Sequence, residues 1–174
     1  GGNPITVQSM TNTDTRDIKS TVSQLKALEE AGADIVRLAV LDMDAAKSIK
    51  EIKSQIKIPL IADIHFDYRL ALESMKNGID ALRLNPGNIK DKEKVKEVIK
   101  EAKARNLTIR VGVNGGSLDR AVYKEVSPEN MVKSAGEHIK LMEDLNFTNI
   151  KVSLKSSDIK TTIDANILFG EKYD

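Results

Sequence analysis

The chain contains no cysteine and no tryptophan, and only three phenylalanines and three tyrosines among 174 residues. Without thiols there is no disulfide framework, and these residues cannot build a thiolate-held metal or iron–sulfur centre. So few aromatic rings offer few platforms for stacking nucleobases, and a formal net charge of +1 gives no global basic field for nucleic acid. No stretch approaches the roughly 18 apolar residues of a membrane-spanning helix. The opening Gly1-Gly2-Asn3-Pro4 is neither basic nor apolar, so no secretory signal is read there and a cytoplasmic location is the expectation. What remains is a chain 40% hydrophobic and 30% charged, long enough for one ordinary domain.

Short apolar runs alternate with longer stretches at helical spacing, the pattern of successive βα units in a parallel sheet. This predicts strands near 5–11, 35–40, 59–65, 81–85, 108–114 and 150–156, with helices near 15–31, 43–55, 67–77, 91–105, 128–146 and 158–170. Ser127-Pro128 is a cap and first-turn pair, Asp42 and Asp67 are placed to cap, and Gly32 and Gly78 stand where chains leave helices. An internal echo, Gly-x-Asp-x-apolar-Arg-Leu, recurs at Gly32–Leu38 and Gly78–Leu84, so two strands are entered by the same turn and deliver arginine to the same depth. Equivalent units favour a barrel over an open sheet with a single crevice. No Gly-x-Gly-x-x-Gly or Walker-type loop is present to support a nucleotide-binding sheet. About six units are present, whereas a complete barrel has eight and about 250 residues. The expected fold class is therefore α/β, a partial TIM (β/α)8 barrel whose first and sixth strands are exposed edges open to association.

Side chains alternate across a strand, and here the alternation separates oil from charge. Val36, Leu38 and Val40 oppose Arg37; Leu82 and Leu84 oppose Arg83 and Asn85; Ile109, Val111 and Val113 oppose Arg110 and Asn114; Ile150, Val152 and Leu154 oppose Lys151, Ser153 and Lys155. Asp63 and His65 share the corresponding face of the third strand, and Gln8 supplements the set from the first. Five fixed cations thus face one carboxylate, a stoichiometry that suits a phosphate or diphosphate, because arginine forks bind phosphoryl oxygens bidentately. The turns Pro86-Gly87-Asn88 and Asn114-Gly115-Gly116-Ser117 could offer backbone N–H groups to an oxyanion.

A single arginine in a strand is more often an ion-pair member than a ligand contact, and Asp34 and Asp80 are acids that could satisfy Arg37 and Arg83. The same parity in four strands favours a site. His65 could be a phosphate donor, a proton carrier or a metal ligand; with His138 the one other histidine, on the apolar stripe of a helix, no metal site is expected.

Four segments carry a family resemblance: Val7-Gln8-Ser9-Met10-Thr11-Asn12-Thr13-Asp14-Thr15, Ala62-Asp63-Ile64-His65-Phe66-Asp67-Tyr68-Arg69-Leu70-Ala71, Leu82-Arg83-Leu84-Asn85-Pro86-Gly87-Asn88-Ile89 and Ile109-Arg110-Val111-Gly112-Val113-Asn114-Gly115-Gly116-Ser117. In this order they closely resemble the 4-hydroxy-3-methylbut-2-enyl diphosphate synthases of non-mevalonate isoprenoid biosynthesis. The resemblance implies a TIM-barrel domain followed by a separate domain that binds a [4Fe-4S] cluster. It implies an oxidoreductase that opens 2-C-methyl-D-erythritol 2,4-cyclodiphosphate with two electrons from flavodoxin or ferredoxin. It also implies a homodimer in which one subunit's cluster domain closes over the other's barrel. The family's basic diphosphate-binding residues carry over to Arg37, Arg83, Arg110 and Lys151 or Lys155, with Asp63, His65, Asn85 and Asn114 at polar positions around the same substrate. On this reading residues 1–174 are the N-terminal part of the substrate barrel. The cluster ligands and the acid/base residue match nothing here, and this chain alone is expected to be colourless and without turnover.

Two other readings stand beside this one. A barrel related to dihydropteroate synthase would take a pterin, and an incomplete folding unit would self-associate through its open edges without responding to any ligand.

Overall fold

The computed structural model describes residues 4–65, 67–84 and 91–173. The expected site residue Asn85 and the turn Pro86-Gly87-Asn88 lie outside the described residues. The remainder is six βα units: β1 (Gln8–Met10), α1 (Ile18–Glu30), β2 (Ile35–Ala39), α2 (Met43–Lys53), β3 (Leu60–Ile64), α3 (Tyr68–Lys76), β4 (Ala81–Leu84), α4 (Lys92–Ala104), β5 (Thr108–Asn114), α5 (Pro128–Glu143), β6 (Ile150–Lys155) and α6 (Ile159–Lys172). The strands form one parallel sheet in chain order, β1 to β6, which is the partial (β/α) barrel.

Each helix starts on an oxygen that accepts a backbone N–H of its first turn, from Asp17, Asp42, Asp67, Asp91, Ser127 and Asp158. Such caps satisfy donors that a helix end leaves open. The chain leaves α1 and α3 through Gly32 and Gly78 at φ 94° and 87°, and leaves α4 and α5 through Asn106 and Asn146, both at φ 54°. The sequence reading found the two glycines. It passed over the asparagines, the side chain other than glycine that best tolerates this region.

The repeated Gly-x-Asp turn has a second purpose. Asp34 accepts the Val7 N–H at 2.8 Å, and Asp80 accepts the Leu60 N–H at 2.7 Å while pairing with Lys53 at 2.6 Å. Each aspartate therefore fixes the start of the strand preceding its own. Neither is the acid that holds Arg37 or Arg83.

Register puts the apolar parity of β2 to β6 on the helix side. Leu38, Ala62, Leu82, Ile109 and Ile150 lie in one row across β2 to β6, and Ile64, Leu84, Val111 and Val152 in the next. From β2 to β5 these side chains are buried against Leu25, Ile49, Ile52, Met75, Ile99 and Met131 of the helices. β1 and β6 are the sheet edges, as expected. Ile5 and Val7 are exposed beside β1, and α6 exposes Ile159, Ile163 and Ile167 at a four-residue spacing along one face. No helix among the described residues is long and apolar enough to cross a membrane.

Candidate functional site

The opposite parity faces the hollow of the arc. One row reads Ala39, Asp63, Arg83, Arg110 and Lys151 across β2 to β6. Arg37 lies one step nearer the amino ends, level with Met10 and Ile61. The next step toward the carboxyl ends pairs Gly112 with Ser153, and the last pairs Asn114 with Lys155. Alternation thus places the predicted residues of the described strands on one surface.

At its centre is Asp63, whose side chain is 5% exposed. One carboxylate oxygen accepts from Arg83 Nη1 at 3.0 Å and lies 3.5 Å from His65 Nε2; the other lies 3.4 Å from Arg37 Nε. Arg37 Nε also meets Met10 Sδ at 3.3 Å. Arg110 has no carboxylate among the described residues within ion-pairing distance. Its Nη1 donates to Gln8 Oε1 at 3.3 Å, a contact from β5 to β1 that shows how strongly the sheet curls. Desolvation lowers the Arg110 pKa, and repulsion from Arg37 and Arg83 lowers it further. Three guanidinium groups therefore face one carboxylate that only Arg37 and Arg83 reach, which leaves positive charge for an anion to neutralise.

The remaining predicted residues form a looser rim. Lys151 and Lys155 are exposed on the edge strand, while Ser153 is half-buried. Asn114 Oδ1 accepts the Gly116 N–H at 3.0 Å and so caps the 3-10 turn Gly115–Ser117, leaving its amide N–H groups as what it can offer an oxyanion. His138 is half-buried on α5, on the same stripe as Met131, Ala135 and Met142. No group of three His, Cys, Asp or Glu among the described residues could hold a metal ion.

One role and one participant escaped the sequence reading. Asp63 was placed on the correct face, but its sharing between Arg37 and Arg83 depends on cross-strand register. Gly112 was given no role, yet a Cβ there would lie 2.6 Å from Arg83 Nε. The cavity of about 590 Å³ within the arc lies toward the amino ends of the strands, lined by Gln8, Ile35, Ile61, Ala81, Thr108, Arg110 and Lys151 among others. In complete barrels inward side chains fill that level, and ligands bind at the other end. We therefore place the candidate site on the arginine row and the carboxyl-end side of it, with the cavity beneath.

At the mouth, Arg16 forks onto Asp14 at 2.6 Å and reaches Asp42 at 3.1 Å, tying the loop after β1 to the cap of α2. The hydrogen bonds from Arg16 lower the Asp14 pKa to about 2. The pair contributes fully above the unfolded-state carboxyl range and is lost as pH falls through about 2. A carbon-detected NMR titration should find that midpoint for Asp14, and Arg16→Ala should raise it toward the usual carboxylate range, the backbone N–H of residue 16 still holding it somewhat below.

The model of the GcpE TIM-barrel domain family matches residues 1–174. This chain belongs to that family. The GcpE barrel is 55% identical to the 4-hydroxy-3-methylbut-2-en-1-yl diphosphate synthase (flavodoxin) of Clostridium acetobutylicum, covering 100% of this chain and 51% of that one. It is 57% identical to the protein of the same name from Maridesulfovibrio salexigens, over 100% of this chain and 49% of the relative. The chain thus spans about half the length of the curated relatives it matches. Among solved structures, it resembles the tryptophan synthase A-subunit of Pyrococcus furiosus, with TM-score 0.61 and 15% identity over 95% of this chain and 74% of that one. It also resembles Yersinia pestis dihydropteroate synthase, with TM-score 0.60 and 13% identity over 86% and 56%. At such identities the likeness is one of fold alone, so the pterin reading gains nothing beyond shared architecture.

Proposed function

We propose that this GcpE barrel binds the diphosphate of 2-C-methyl-D-erythritol 2,4-cyclodiphosphate, as the substrate-binding part of a 4-hydroxy-3-methylbut-2-enyl diphosphate synthase. The observation that carries the reading is the sharing of Asp63 by Arg37 and Arg83 beside an Arg110 with no acid partner among the described residues. Excess guanidinium charge on one strand face is costly without an anion and suits a pair of phosphoryl groups. The relatives' names supply the product and flavodoxin.

The residues then have distinct tasks. Arg83 and Arg110 meet the phosphoryl oxygens, Asp63 orients Arg37 and Arg83, and His65, paired with Asp63, can offer a proton or hydrogen bond at the mouth. Asn114 and Ser153 add neutral donors. Asn85, Lys151 and Lys155 complete the proposed set. The enzyme as a whole would convert the cyclic diphosphate to the linear one with two electrons and two protons and loss of water. Its donor would be flavodoxin or ferredoxin, and it would act as a homodimer.

The [4Fe-4S] cluster implied by the family does not fit the residues present, since the sequence has no cysteine. No step is assigned to it. Binding, orientation and proton delivery are what these side chains can perform.

Calorimetric titration tests the reading. The cyclic diphosphate should bind at one site per chain and a pterin should give no heat. Binding of the pterin instead, or of neither, would overturn it.

A further inference from the structure

We infer that Gly112 is a positioning residue of the anion site: its missing side chain forms the slot in which the Arg83 guanidinium lies, and this slot aims Arg83 at the ligand. The inference rests on the diphosphate reading and deepens it.

A Cβ at position 112 would lie 2.6 Å from Nε, 2.9 Å from Nη2 and 3.2 Å from Cζ of Arg83. All three atoms belong to one rigid plane, so relieving one contact by a small rotation does not relieve the others. The backbone does not itself require glycine here, because the positive-φ glycines are Gly32 and Gly78. A glycine in mid-strand costs stability and commonly marks a close approach by another group. Here the approaching group is Arg83. Its Nη1 is held by Asp63 on β3 at 3.0 Å, while Nε and Nη2 lie over the β5 backbone at Gly112.

Gly112 also pairs in register with Ser153, and the Arg110–Lys151 pair lies one step below on the same face. Two small residues side by side leave a shallow floor with cations beneath it. Phosphoryl oxygens can approach that floor, and the guanidinium lies across its β5 side. A methyl group at 112 would lift the guanidinium from the backbone, bend it away from Asp63 and occupy part of the floor.

The test is a double-mutant cycle on Gly112→Ala and Arg83→Met, read by calorimetric titration with inorganic diphosphate and by thermal unfolding of each variant. Gly112→Ala should weaken binding about tenfold, the scale of one charge-assisted contact. In the Arg83→Met background the same change should alter affinity by less than about twofold, because the group it displaces is gone. Wild-type affinity in Gly112→Ala, or its full loss repeated in the Arg83→Met background, would overturn the inference. If Gly112→Ala does not fold, the double variant decides: recovery of the folded state supports the clash with Arg83, and continued failure overturns it. Absence of diphosphate binding by the unsubstituted chain would sink the diphosphate reading itself, and this inference with it. Binding that is present but indifferent to Gly112 sinks this inference alone.

Discussion

Asp63→Asn is expected to destabilise the chain by about 3 kcal/mol, because removing the shared acid leaves Arg37 and Arg83 partly buried with no countercharge. The side chains of the two arginines are 24% and 14% exposed, so solvent reaches them slightly and the lower end of the range for a broken buried pair applies. Urea denaturation should show a lower midpoint with an unchanged slope. Added inorganic diphosphate should raise the variant's midpoint by more than it raises that of the unsubstituted chain. An anion that binds the folded state stabilises it by mass action, and in the variant it also replaces the missing carboxylate. A midpoint within experimental error of the unsubstituted chain would mean that Asp63 does not hold the arginines.

Arg110→Met should move two observables in opposite directions. Affinity for the cyclic diphosphate should fall by about 1.5–3 kcal/mol, the worth of a hydrogen bond to a charged group. That is roughly a tenfold to hundredfold rise in Kd. Stability should hold or increase, since burial and the charges of Arg37 and Arg83 already disfavour a cation at this position. A residue that lowers stability where it aids binding is the usual mark of a functional position. Methionine keeps an unbranched apolar stem of similar reach, so packing is preserved. Arg105→Met is the matched control. Arg105 pairs with Glu101 at 2.6 Å just past α4, and its loss should leave affinity unchanged. Equal effects of the two substitutions would contradict the strand parity on which the site is built.

The parity itself was legible in the sequence because a strand's side-chain period of two is local. Leu82-Arg83-Leu84 needs no tertiary information to set leucine against arginine. For the same reason β5 was placed at its observed ends, and the six elements of each kind were found in order. The weakest prediction was the first strand, expected over 5–11 and observed as Gln8–Met10. Its apolar residues Ile5 and Val7 have the composition of a strand, but they flank a sheet edge and stay exposed. Local pattern does not report which neighbours will be present.

What stayed hidden depended on register. Asp34 and Asp80 were the sequence-local acids for Arg37 and Arg83, and both instead bind backbone N–H groups of preceding strands. Asp63 lies opposite Arg83 across the β3–β4 ladder, a relation that parity cannot supply. Gly112 was hidden in the same way: its space is visible only once the Arg83 side chain is known to cross it. Asn114 is a different case: its side-chain oxygen accepts an N–H of its own turn, so its amide N–H groups are what it offers a ligand.

Nitrogen-detected NMR of the arginine Nε–H groups during titration with 2-C-methyl-D-erythritol 2,4-cyclodiphosphate examines the shared-carboxylate cluster itself. The account predicts that the Arg83 and Arg110 resonances shift and saturate together at one equivalent, while Arg105 stays where it was. Resonances of Arg83 and Arg110 that do not move, or that drift without saturating in step with Arg105, would contradict it.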